Sequence, residues 1–218
     1  MAIYDTEEEQ VEQLKKWWDE NSSSLIAGVI AAIVAVIGWN LWQDHSLQQR
    51  VQASDTYQQL LDAVNQNDSL AIDALAGKLS SEHASTTYAD FAALHKAKIK
   101  VDSGDLDGAK AILQQQMQDT RSDNLAHVAR LRLVQLMLAS GQHEQGLELI
   151  AAIDRSKAEG FLARYDELEG DLYVAMDRLD EARNAYQNAI RSGQASPLTQ
   201  FKLDDLTVPA FQPAASQP

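Results

Sequence analysis

The chain has 218 residues, no cysteine and a formal net charge of −14. That acidity argues against nucleic acid as a partner and against attraction to an anionic membrane surface, and the missing thiols exclude a disulfide framework and thiolate catalysis. The length accommodates one membrane span and one ordinary domain of about 150–175 residues.

Residues 1–24 carry seven acids against Lys15 and Lys16. Val11, Leu14, Trp17 and Trp18 are spaced to share one face of a helix, which reads as an amphipathic lead-in lying on lipid headgroups. Ser22, Ser23 and Ser24 are placed to cap the helix that follows.

Residues 25–42 read LIAGVIAAIVAVIGWNLW, without one charge. As a helix this stretch is about 27 Å long, against a hydrocarbon core of about 30 Å. Trp17 and Trp18 precede it and Trp39 and Trp42 close it, so every Trp of the chain stands at one of the two expected water–lipid boundaries. A buried core helix is the competing reading, and scattered Trp would suit it better. A cleaved signal peptide would be shorter and would end in small residues rather than Trp39-Asn40-Leu41-Trp42. The stretch is therefore expected to be a retained transmembrane helix. Lys15 and Lys16 lie before it and the first cation after it is Arg50, which predicts a cytoplasmic N-terminus and a translocated domain, periplasmic in a bacterium.

Within the span, Ala27, Ala31 and Ala35 are four apart, as are Gly28 and Ala32, and Gly38 extends the same side. Small residues at this spacing let a second helix approach closely in lipid; alanine is common in spans, so chance is the competing reading.

Residues 43–208 are expected to form one all-α domain. No Pro occurs between residues 43 and 196 and no alternating strand pattern appears. Polar breaks fall at a regular beat: Asn67, Gly104, Gly141 and Asp177 stand in comparable turns, 37, 37 and 36 residues apart. Five positions beyond the last three lie Ala109, Gly146 and Ala182, followed by Leu113, Ile150 and Tyr186. A helical hairpin with a small residue where helices cross resembles the tetratricopeptide repeat. The best copy is Leu168–Ile190, with Gly170, Tyr173, Ala182 and Tyr186. The copy ending near Met117 has Lys100 in place of the Tyr, and the one starting near Ser46 is the most degenerate. One hairpin cannot bury its apolar face alone, so stacking into an α-solenoid is expected. Phe201, Leu203, Leu206 and Val208 read as a segment capping the last repeat, and residues 209–218 as a disordered tail.

No chemistry-bearing motif emerges. His45, His83, His95, His127 and His143 show no metal-ligand spacing and read as surface residues; no phosphate loop or nucleophile elbow is present. The expectation is a non-enzymatic protein without cofactor or metal. Its function would lie in the concave face of the stack, for which Arg130, Gln135, Tyr165, Glu169 and Tyr173 are candidate lining residues.

Several segments together resemble the YfgM family, the ancillary subunit of the bacterial SecYEG translocon. They are Ile3-Tyr4, Gln10-Val11-Glu12 and Leu14-Lys15-Lys16 ahead of Trp17-Trp18; Gly28-Val29-Ile30 and Ile37-Gly38-Trp39 in the span; and Asp123-Asn124-Leu125, Leu131-Arg132-Leu133 and Lys202-Leu203-Asp204-Asp205-Leu206 beyond it. The tail after Leu206 is longer than the family pattern. The resemblance implies an inner-membrane protein with a periplasmic tetratricopeptide-like domain that associates with SecYEG and with the membrane-anchored chaperone PpiD. It also implies that the protein assists translocating polypeptides and is linked to restraint of the Rcs envelope stress response. A structural scaffold for another cell-envelope assembly is the alternative reading.

Overall fold

The computed structural model describes residues 7–207; Ile3, Tyr4, Val208 and the tail 209–218 lie outside the described residues. Among the described residues the chain is all helical, with no strand. It divides into two compact units between Gln52 and Ala53.

Helix α1 runs from Glu7 to Asn65. Ser22–Ser24 lie within it and cap nothing, contrary to the sequence expectation. The lead-in and the apolar stretch are one element, because no Gly or Pro interrupts residues 7–24 and isolated serines do not stop a helix that has good formers on both sides.

Among the described residues eight further α-helices follow: α2 (Ser69–Glu82), α3 (Thr87–Asp102), α4 (Leu106–Asp119), α5 (Asp123–Ala139), α6 (His143–Ala151), α7 (Leu162–Ala175), α8 (Leu179–Arg191) and α9 (Pro197–Thr207). Helices α3–α4, α5–α6 and α7–α8 pair as hairpins and α9 packs on α8, while the end of α1 joins α2 through a shared apolar cluster of Ala53, Leu60, Ala76 and Leu79, which makes a fourth hairpin. The degenerate first copy is thus a real hairpin. Its first arm is the C-terminal part of α1, which buries Ala53, Leu60 and Ala63.

The four hairpin turns are built alike. Asn67, Gly104, Gly141 and Asp177 have φ of 55°, 81°, 73° and 60°, the left-handed region in which Gly, Asn and Asp are the least strained residues. The next amide in each turn reaches back five residues to a helix carbonyl, Asp68 to Ala63 (3.0 Å), Asp105 to Lys100 (2.8 Å), Gln142 to Met137 (2.8 Å) and Arg178 to Tyr173 (2.9 Å). This Schellman closure satisfies carbonyls that the helix end would otherwise orphan. Side chains at the two ends of that bond also meet. Lys100 pairs with Asp105 at 2.9 Å, and Arg178 stacks over the Tyr173 ring at 4.6 Å. The Lys that departs from the repeat pattern therefore still closes its own turn.

Each of three apolar clusters draws on consecutive helices: Ala53, Leu60, Leu79 and Ala92; Leu94, Leu113, Leu133 and Met137; Val134, Ile150, Tyr165 and Leu172. Every core is shared between neighbouring hairpins, so no hairpin holds one alone. Leu60, Leu79, Leu113, Leu133 and Leu172 are fully enclosed, each worth about 1.5–3 kcal/mol of burial.

The cap differs from its sequence reading. Segment 197–207 is a helix, but Phe201 stays 70% exposed, with Leu203 and Leu206 only half-buried. Thr199, fully buried, lies on the face of α9 opposite Phe201, and Lys202, one turn on from Thr199, reaches the carboxylates of α7. Pro197 opens the helix, where its missing N–H costs nothing.

Candidate functional site

In the first unit, every residue of Leu25–Trp42 is solvent-exposed. Nothing among the described residues covers this apolar length, which argues against the core-helix reading and leaves a candidate membrane span. Trp18 and Trp39 are separated by about 32 Å along the helix, close to one hydrocarbon thickness. Trp39 and Trp42 sit with ring centroids 5.2 Å apart, and Trp17 is exposed beside Trp18. Ala27, Gly28, Ala31, Ala32, Ala35 and Gly38 are likewise exposed, and a Cβ at Gly28 or Gly38 would meet nothing.

In the second unit, Ala109 and Ala182 are fully buried and Gly146 is buried. A Cβ on Gly146 would stand 3.0 Å from both methyl groups of Leu172 on α7, so this position sets how closely α6 approaches α7. Gly170 faces Tyr186 across α7 and α8, inside contact distance for any added carbon. Tyr186 donates to Asp171 Oδ1 at 2.7 Å, and burial together with that carboxylate pushes its phenol far above the ordinary value.

The first helices border a cleft of about 350 Å³ between α3 and α5. Leu94, Ala97, Val101 and Leu136 form its walls, with Leu113 of α4 beneath; Lys98, Arg132 and Gln135 stand at the rim. Of the five residues expected to line the groove, Gln135 does so. Tyr165 does not; it is fully buried, with its hydroxyl 2.9 Å from His127 Nδ1. Glu169 and Tyr173 line a crevice with Glu144 and Leu147 of α6, on the side of the stack formed by the second helices. Arg130 lies beside Tyr165, and its buried Nε has no hydrogen-bond partner. A helical period locates a residue around one helix but does not say which neighbour each face meets.

The histidines also depart from expectation. His83 and His127 are buried, and His127 stacks on Phe161 with centroids 4.9 Å apart. Burial and the nearby Arg130 hold its imidazole below the ordinary value, so a neutral ring fills the core with its Nδ1 satisfied by Tyr165. His95 shares a 3.2 Å hydrogen bond with Tyr57. No group of three His, Asp or Glu able to hold a metal occurs among the described residues.

A charged cluster at the C-terminal end escaped the sequence reading. Lys202 of α9 donates to Glu167 Oε1 at 3.0 Å and to both oxygens of Asp171 at 2.8 Å. Arg164 also donates to Glu167, at 2.9 Å, and the Glu167 side chain is only 5% exposed. The partners of Lys202 lie 31 and 35 residues away, a separation at which no local pattern announces a contact.

The tetratricopeptide repeat-like domain family matches residues 15–208, which takes in both units. The chain is 33% identical over 211 residues to the ancillary SecYEG translocon subunit of Escherichia coli strain K12, covering 95% of this chain and 100% of that protein. It is 32% identical over 208 residues to the protein of the same name from Haemophilus influenzae, covering 94% and 100%. A protein of that name from Neisseria gonorrhoeae is 24% identical over 211 residues, covering 94% and 100%. No solved structure matches the chain.

Proposed function

This chain belongs to the tetratricopeptide repeat-like family of ancillary SecYEG translocon subunits, and from that premise we propose that it is an accessory interaction subunit of the Sec channel, anchored by Leu25–Trp42. The observation that carries the reading is coverage. The relatives align over their whole length, so the likeness takes in both the exposed apolar helix and the repeat stack and is not confined to a shared domain. An anchored stack of hairpins works by holding a binding surface beside a partner, and it needs no chemistry of its own.

Affinity purification of the full chain in mild detergent is expected to recover SecYEG. Recovery without any Sec component overturns the reading. The finer proposal is that the repeat domain stands in the periplasm, meets newly translocated chains and works with PpiD. Restraint of an envelope stress response is part of the same proposal. It predicts PpiD in the same purification, and its absence would remove the chaperone branch while leaving the channel branch standing.

Orientation is tested separately. Lys15 and Lys16 precede the span and support a cytoplasmic N-terminus. A reporter active only in the periplasm, fused after Pro218, is expected to be active. A stable but inactive fusion reverses both the orientation and the compartment.

A further inference from the structure

The α3–α5 cleft combines an apolar interior with a cationic edge. Its floor and walls are aliphatic, Gln135 and two cations stand at its rim, and no carboxylate lines it. Arg132 has no ion-pair partner among the described residues; its one hydrogen bond is a long 3.5 Å contact to the Leu94 carbonyl. Lys98 pairs with Asp102, an exposed partner on its own helix that a better-placed acid can displace. His95 reports the same field: burial, then the charges of Arg132 and Lys98, hold its imidazole below the ordinary value.

The repeat shows how local this is. Lys98, Gln135 and Asp171 each stand six residues before the left-handed residue of their turn, so they occupy one row along the first helices. At the end of that row Asp171 is neutralised by Lys202. A cationic mouth over an apolar floor, on a chain of net charge −14, is the place where an acidic segment is attracted and not repelled.

We propose that this cleft receives a short acidic segment of a partner protein, with one large apolar side chain on the Leu94–Leu136 floor and carboxylates on Arg132 and Lys98. The proposal rests on the interaction-subunit reading and specifies its ligand chemistry.

Fluorescence anisotropy tests it, using the full chain in detergent micelles and a labelled short peptide with a central leucine flanked by aspartates and glutamates. Saturable binding is expected, weaker by about tenfold when amides replace those carboxylates, and falling as salt screens the rim. Arg132→Glu is expected to weaken the acidic peptide by about tenfold or more and to leave the amide peptide unchanged, with helical circular dichroism retained. Lys98→Gln supplies a milder variant with the same direction of effect. Equal affinity for both peptides, or indifference to both substitutions, overturns the proposal. Displacement by inorganic phosphate as effective as by peptide overturns it in favour of a headgroup-type anion site. A changed oligomeric state in Arg132→Glu without peptide binding overturns it in favour of a second copy. Since these measurements contain no Sec component, their failure is distinct from failure of the co-purification.

Discussion

Lys202→Ala is expected to release α9 from the end of the repeat stack, at a cost of about 3 kcal/mol. Glu167 is a carboxylate with a nearly buried side chain, and Lys202 supplies one of its two cations. Removing one partner of such a pair costs about 3–5 kcal/mol, and the lower end applies because Arg164 stays in place. The loss concentrates where the cluster acts. Terminal units of a repeat array open independently of the middle, so amide exchange across Pro197–Thr207 should accelerate while exchange in α5 stays near wild type. Undiminished protection of α9 in the variant would show that Thr199 and the backbone hold the cap without the ion pairs.

The same cluster has a pH signature. Burial opposes ionisation of Glu167, but hydrogen bonds and charges from Lys202 and Arg164 outweigh it and hold the carboxyl below its ordinary value. A group whose folded value is lowered stabilises above the unfolded value and loses that contribution as pH falls through the folded one. Protection of α9 should therefore persist at neutral pH and fade on acidification below the ordinary glutamate value near 4.5. In Glu167→Gln the acid dependence should shrink, measured by the same exchange. An unchanged profile would assign the titration to other acids.

Gly170→Ala is expected to destabilise the domain by about 2 kcal/mol, although Ala is the better helix former by about 1 kcal/mol. The added carbon would overlap Cδ1 and Cε1 of the Tyr186 ring, and the ring cannot swing away. It is 2% exposed, and its hydroxyl is held by Asp171. Overpacking at such a site costs about 3 kcal/mol, which outweighs the propensity gain. Thermal melting of the full chain in micelles should shift down by about 4–8 °C. Gly77→Ala is the control of opposite sign. A Cβ there meets nothing within 4 Å, and the position is inside α2, so a gain of about 0.5–1 kcal/mol is expected. Equal shifts for the two variants would mean that the Tyr186 contact does not govern Gly170.

The features legible in the sequence are those that need only one dimension. Whether 18 uncharged residues can span a bilayer depends on their length and composition alone. The turns at Asn67, Gly104, Gly141 and Asp177 were legible because a left-handed backbone is a local demand that few residue types meet cheaply. Their spacing then implied hairpins, and hairpins implied a stack. The break between α6 and α7 was not legible: residues 152–161 carry no Pro, and the single Gly160 has no special backbone conformation.

Placement around each helix was decided only by the tertiary structure. Gln135 and Glu169 looked equivalent as groove candidates, yet one borders the α3–α5 cleft and the other faces α6. His127 looked like a surface residue until Tyr165, 38 positions away, closed over it. Lys202 gained its role from α7, and Phe201 lost the role of cap because α9 turned its opposite face inward. The physical reason is common to all of these. The sequence of a helix sets which residues share a face, but the rotation of that face toward a neighbour is a compromise among every side chain in the shared core. Small residues such as Gly146 and Gly170 tip that compromise through contacts that no local pattern contains. The sequence by itself determined that there is an apolar helix long enough to cross a membrane followed by a stack of hairpins; the packing alone decided which surface of that stack is left open.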